Sequence, residues 1–304
     1  MNRVKYWLME LRAPFFTASI IPILLGAAVA YYIFNTIDWG YFILTLIGGI
    51  FLHAGANVIN DYFDHLTQND ELNKEFVRPF TGGSRIIQNQ LMTPREVLIE
   101  GIVCLTIGSA IGLYLSFKLG WVILLLGIIG VFSAVFYVEP KVNLVGRGIG
   151  EFFIGLNFGV LMTFGAFYVQ AGQFSWIPII ASLPVAILIA AVLYINEFQD
   201  TTADRAVGKN HLVVRLGKKR AISGYILMML LTYLVVVVGV VTDSLPPITL
   251  VSLLTVPIAL NAIKIAKQNY DDNQKLAPAN ASTIMVHLFT GLLLTVGFFI
   301  DRLI

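Results

Sequence analysis

Two short stretches hold most of the chemistry available to this 304-residue chain. In NVINDYFD, residues Asn57, Asp61 and Asp64 fall at about 0°, 40° and −20° on a helix, so all three project from one face. His53 lies one turn earlier on the same face. In NEFQDTTADRAVGKN, residues Asn196, Asp200 and Asp204 are spaced i, i+4, i+8, with Glu197 on the flank. Each stretch reads as an Asn, an Asp one turn on, a second Asp about a turn further, then a basic loop, which is a weak internal repeat. A solvated helix end accounts for one such cluster. Two clusters of matching spacing point instead to function, because a carboxylate in an apolar medium is costly and intramembrane acids usually mark a substrate, ion or proton path.

Four aligned carboxylates with two amide oxygens form a hard-oxygen site, suited to Mg²⁺ rather than zinc or copper. Mg²⁺ commonly uses one or two carboxylates plus phosphate oxygens. The neighbouring loops, KEFVRPFTGGSRIIQNQ and DRAVGKNHLVVRLGKKR, supply candidate phosphate ligands in Arg78, Arg85, Arg205 and Lys209. Arg pairs with phosphate in a bidentate fork and Lys supplies a compact charge. Gly82 and Gly83 allow close backbone approach to an anion. A diphosphate on a membrane-soluble carrier fits this set. Two metal-holding clusters would neutralise the charge that grows on the leaving group as a C–O bond breaks.

The elements that must position these residues are membrane helices. The chain is 57% hydrophobic and 12% charged, against about 25% charged in soluble domains. Apolar blocks of roughly 20 residues suffice to cross the hydrocarbon core. The pattern predicts a single all-α polytopic domain with nine spans, at 14–34, 39–64, 95–117, 120–138, 147–170, 176–200, 219–241, 247–267 and 280–300. The spans would surround a central cavity open to the cytoplasm. Eighteen of the 20 Lys and Arg then fall on the face holding the N-terminus and the loops 65–94, 139–146, 201–218 and 268–279. Only Lys118 and Arg302 lie on the other, which places the first face in the cytoplasm. The long loops 65–94 and 201–218 are expected to be catalytic. The start, MNRVKYWLMELRAPFF, lacks the short apolar core of a signal peptide and reads as an amphipathic lead-in at the membrane surface. Cys104 is the only cysteine, so no internal disulfide forms, and a net charge of +2 gives no case for nucleic acid.

NVINDYFD and NEFQDTTADRAVGK together resemble the UbiA superfamily of intramembrane prenyltransferases. That family carries an Asn/Asp-rich motif on helix two and a DxxxD motif on helix six. YVEPK adds a likeness to the family's YxxxK element, through Tyr137 and Lys141. The resemblance spans essentially the whole chain. It implies that Asp61, Asp64, Asp200 and Asp204, with Asn57 and Asn196, hold Mg²⁺ on an isoprenyl diphosphate, and that Tyr137 and Lys141 join the catalytic set. Ionisation would give an allylic carbocation, attacked by an electron-rich acceptor in a water-free chamber. Tyr62, Phe63 and Tyr194 are candidates to shelter the cation. The expected setting is the prokaryotic plasma membrane, among membrane lipids, with the active site cytoplasmic.

Where many members have the last Asp of the first motif, this chain has Gln68, and the next acid is Asp70. That spacing, GGSRIIQNQLMTPREV and DRAVGKNHLVVRLG are similar to the menaquinone branch, which prenylates dihydroxynaphthoate. Glu197 and GGSR depart from that branch, so a glycerol phosphate ether-lipid acceptor stays open, with Arg12 or Arg147 as its extra anion site. An ion-coupled secondary transporter is the reading of another class. It places its acids near the bilayer midplane, whereas these lie at span ends beside basic loops. Prenyl chain length, general base and oligomeric state have no signature in the sequence.

Overall fold

The computed structural model describes residues 3–304, and among these it contains helices and no strands. In chain order they are α1 (Arg3–Glu10), α2 (Thr17–Phe34), α3 (Trp39–Leu66), α4 (Asn69–Leu72), α5 (Pro94–Leu119), α6 (Trp121–Phe136) and α7 (Gly150–Gly155). A π-helical stretch, Leu156–Leu161, continues α7 into α8 (Met162–Ala171). Then follow α9 (Ile177–Ala206), α10 (Leu212–Leu216), α11 (Lys218–Val241), α12 (Val256–Asn269) and α13 (Asn273–Leu303). A 3₁₀ stretch, Pro247–Thr255, leads into α12.

Eight of these units are long and apolar enough to cross a membrane, counting α7–α8 and the 3₁₀ stretch with α12 as one each. Nine spans are expected from the sequence; the fourth falls below that length, although the ends of α3 and α9 can meet on one side only if it too carries the chain across. It is α6, with 16 residues, which rises only ~24 Å against a hydrocarbon core of ~30 Å. It stops at Phe136 because Pro140 disfavours a helical Glu139 and turns the chain. The expected loop 201–218 also shortens. α9 continues to Ala206, and Gly208 at φ 79 reverses the chain. Asp204 is therefore on helix, in register with Asp200.

Helix length explains where the polar ends go. α3 has 28 residues and α9 has 30, so each is ~42–45 Å long and outruns the hydrocarbon by about two turns. Those turns bear the Asp residues. α3 packs most extensively on α5, and glycines permit the approach. A Cβ on Gly55 would come within 2.9 Å of the Leu105 backbone nitrogen, and one on Gly101 within 2.6 Å of Ile59. α9 runs through the middle of the bundle, its buried residues shared between cores formed with α11–α13 and with α2 and α8. α1 folds back at Arg12, whose φ is 53, and sets Tyr6 and Trp7 against Val58, Ile86 and Val97.

Candidate active site

The carboxylates meet where α3 and α9 end. Asp61 and Asp64 come from the last two turns of α3, and Asp200 and Asp204 from the last two of α9. Lys209, beyond Gly208, bridges them: its Nζ is 2.6 Å from Asp64 Oδ1 and 3.9 Å from Asp204 Oδ1. Burial alone would lower the Lys209 pKa, but Asp64 and Asp204 outweigh it and raise it, so the side chain stays charged.

The break after α3 supplies more partners. Gln68, where the family's last Asp would stand, takes a left-handed φ of 59 and starts α4. From that short helix and its cap, Asn69 Nδ2 donates to Asp204 Oδ1 at 2.8 Å and Asn73 Nδ2 to Asp200 Oδ1 at 2.7 Å. Asp70 turns inward. Burial first, and the nearby charges of Asp64 and Asp61 next, hold its carboxyl well above the usual range. The Gly82–Gly83 loop lies over the cluster, and the Ser84 amide donates to Asp61 Oδ2 at 2.7 Å. At Gly83, with φ 64, a Cβ would sit 2.9 Å from Asp70 Oδ2 and 3.1 Å from Asp61 Oδ1. The left-handed backbone and the crowding of both carboxylates favour glycine there.

Not every expected residue joins the cluster. Arg85 donates to the Asp70 carbonyl and covers the Phe76 ring, 4.3 Å from its centroid. Arg78 donates to the Ser84 carbonyl at 2.6 Å. Both thus hold the loop. Arg205 is exposed and turns to the Val214 carbonyl at 3.3 Å, and Lys141 is exposed on the 137–149 turn. Asn196 Oδ1 accepts from Asn280 on α13 at 2.7 Å. Arg12 contributes a cation that the motif spacing does not reveal, with Nη1 3.6 Å from Asp61 Oδ1.

Beneath the carboxylates lies a cavity of about 370 Å³, lined chiefly by aliphatic side chains and glycines of α3, α5, α6, α7 and α8. Its polar groups include Asn57, Asn157 and Tyr137, and Asn57 Nδ2, Asn157 Oδ1 and the Tyr137 hydroxyl are buried without a hydrogen bond. The Tyr137 hydroxyl is thus free to donate into the cavity. Tyr62, Phe63 and Tyr194 do not line this cavity, contrary to the expected role. Positions 62 and 63 rotate off the Asn57–Asp61–Asp64 face, and the Tyr194 hydroxyl is committed to the Ala221 carbonyl at 3.0 Å. Phe153 and Phe158 supply the aromatic lining instead.

A second buried polar group sits behind Asp204. His211 is fully buried, its Nε2 3.1 Å from Asp204 Oδ2 and its Nδ1 3.3 Å from Glu197 Oε2. Glu151, at the start of α7, accepts from the Leu212 amide at 3.0 Å. Burial would lower the His211 pKa, yet Glu197 and Asp204 raise it to about 10. Motif reading passes over this group. Its signal is the placement of Glu151 and Glu197 at the edges of apolar runs.

A helical membrane bundle with paired acidic motifs over an apolar cavity is suited to chemistry on a lipid-soluble substrate. Residues 19–295 match the UbiA prenyltransferase family, and the chain belongs to it. It is 28% identical over 295 residues to a 2-carboxy-1,4-naphthoquinone phytyltransferase of Synechocystis, covering 97% of this chain and 93% of that one. It is 26% identical over 285 residues to a 1,4-dihydroxy-2-naphthoate octaprenyltransferase of Bacillus subtilis, covering 94% and 89%. Among solved structures, a UbiA homolog from Aeropyrum pernix superposes with a TM-score of 0.70 at 17% identity, over 94% of this chain and 97% of that one. A UbiA homolog from Archaeoglobus fulgidus bound to DMAPP and Mg²⁺ gives 0.65 at 18%, over 95% and 99%. The fold is thus shared, and the chain is a multi-pass membrane prenyltransferase.

Proposed function

We propose that this prenyltransferase moves an isoprenyl group from a polyprenyl diphosphate to an aromatic quinone precursor of the dihydroxynaphthoate type. The observation that carries this reading is the single ammonium of Lys209 spanning the α3 and α9 carboxylates. It joins motifs distant in sequence into one anion-handling site, its own contact with Asp64 spanning 145 positions.

The donor set fits Mg²⁺. Asp61, Asp64, Asp200, Asp204 and Asp70 offer hard oxygens, Asp61 Oδ1 is buried without a hydrogen bond, and Gly83 keeps open the space a Cβ would fill. Asn57 and Asn196 flank the set. Bound there, Mg²⁺ would supply charge neutralisation for the departing diphosphate. The chain's own groups do the rest. Lys209 and Arg12 draw the diphosphate to the carboxylate end, while Arg78 and Arg85 hold the Gly82–Gly83 loop over it. The aliphatic cavity takes the prenyl chain and excludes water from the allylic cation, with Phe153 and Phe158 as aromatic walls. The Tyr137 hydroxyl and the amides of Asn57 and Asn157 face the cavity and suit an acceptor with ring hydroxyls.

Arg147 donates through Nε to the Val142 carbonyl at 2.5 Å, so its guanidinium serves its own loop. That favours an acceptor with one carboxylate over a phosphorylated one, and Arg12 suffices for it. In this reading the whole chain acts as one domain in a prokaryotic plasma membrane, and the distribution of Lys and Arg supports a cytoplasmic carboxylate end. Membranes containing the protein should convert radiolabelled geranylgeranyl diphosphate and 1,4-dihydroxy-2-naphthoate into a prenylated lipid, and EDTA should stop it. Absence of product from any phenolic or glycerol phosphate acceptor would overturn the reading.

A further inference from the structure

We propose that Glu151, Glu197 and His211 form a divalent transition-metal site of their own, behind the diphosphate-binding carboxylates. Each offers one ligand atom, and these atoms lie within 4.8 Å of one another. All three are at least 96% buried, on α7, on α9 and at the cap of α10.

Two further observations point to a ligand. Glu151 Oε2 and Glu197 Oε1 are buried and accept no hydrogen bond, Glu197 Oε2 has only the His211 ring at 3.3 Å, and the Tyr137 hydroxyl over Gly150 is also without a partner. Buried oxygens of this kind call for an ion or proton. The charge balance agrees. Lys209 and His211 are the cations in contact with Asp64, Asp204 and Glu197, while Glu151 adds a further carboxylate. A divalent ion at Nδ1, in place of a proton or of the long 3.4 Å cap bond from the Val214 amide, reduces that surplus. His211 would remain held through Nε2 by Asp204, an arrangement that orients a metal-bound imidazole.

The donor types differ from those of the Asp motifs. One imidazole and two carboxylates suit Mn²⁺, Fe²⁺ or Zn²⁺, whereas an all-oxygen set suits Mg²⁺. The site lies on the 207–211 segment that bears Lys209. An ion there would fasten α7, α9 and α10 together and fix that segment.

The nitrogen ligand makes the test specific. Mn²⁺ added to the purified protein in detergent, without diphosphate, should give an electron spin-echo signal with nitrogen coupling. The coupling should persist in an Asp64→Asn, Asp200→Asn double variant and vanish in His211→Gln. Glu151→Gln keeps an acceptor for the Leu212 amide, so it should fold, and it should weaken Mn²⁺ binding at least tenfold. No nitrogen coupling in the wild-type protein overturns the proposal, as does Mn²⁺ binding unchanged in Glu151→Gln or dependent on added diphosphate. Because no substrate is present, this result stands apart from the success or failure of the transfer assay.

Discussion

The carboxylate end and the cavity beneath it share α3, yet they treat polar atoms in opposite ways. At the end of α3 and α9, Asp61, Asp64, Asp200 and Asp204 each accept at least one hydrogen bond, from Ser84, Asn60, Asn73, Asn69, Lys209 or His211. In the cavity, the amide nitrogen of Asn57 and the hydroxyl of Tyr137 have no partner, and the wall is mostly aliphatic side chains and glycines. Under the proposed transfer, one region would stabilise separated charge and the other would keep water from a reactive carbon. The boundary between them falls within about two turns of α3, from Leu52 in the cavity wall to Asp61 in the cluster.

Breaking the charged side should cost most. Asp64→Ala or Asp200→Ala should lower transfer on the order of 10³-fold or more, with thermal unfolding of the purified protein little changed. A variant with near-normal turnover would remove the carboxylates from the proposed role. Lys209→Gln severs the bridge between the two motifs and should lower kcat/KM roughly 10²-fold, measured with the diphosphate as the varied substrate.

The apolar side should respond through selectivity. A Cβ on Gly127 of α6, which lines the cavity, meets nothing within 4 Å. Gly127→Phe should therefore fold and fill space, shifting preference toward shorter prenyl diphosphates by about tenfold. A chain-length series would show it, and an unchanged profile would mean the prenyl chain runs elsewhere.

Asp70 should give the smallest effect, and one that depends on pH. A carboxyl with a folded pKa raised above its unfolded value contributes stability that is present at low pH and lost as pH rises through the folded value. Without divalent cation, Asp70→Asn should thus raise the melting temperature by a few degrees at pH 8 and by less at pH 5. Equal shifts at both pH values would contradict the burial of a raised Asp70.

The two regions were also unequally legible in the sequence. Asp61, Asp64, Asp200 and Asp204 stand out because helical spacing aligns them and acids are rare in apolar runs. Lys209 follows from its place one loop beyond the second motif. The short α6 is not visible in hydropathy alone, since the apolar run continues through Tyr137 and Val138 while the helix ends at Phe136. Arg205 is adjacent to Asp204 in sequence, but one helical step of 100° carries it to the outside. Arg12 and Asn69 reach the cluster only through tertiary contacts, Arg12 by the fold-back after α1 and Asn69 by the break at Gln68. Spacing within a motif records neither.

The central claim is that the α3 and α9 carboxylates act as one Mg²⁺-dependent diphosphate site. Equilibrium binding of a non-reactive prenyl thiodiphosphate tests it directly, without reference to the acceptor. The account predicts saturable binding that requires Mg²⁺ and is lost alike in Asp64→Asn and Asp200→Asn. Binding that persists in EDTA, or in either variant, would contradict it.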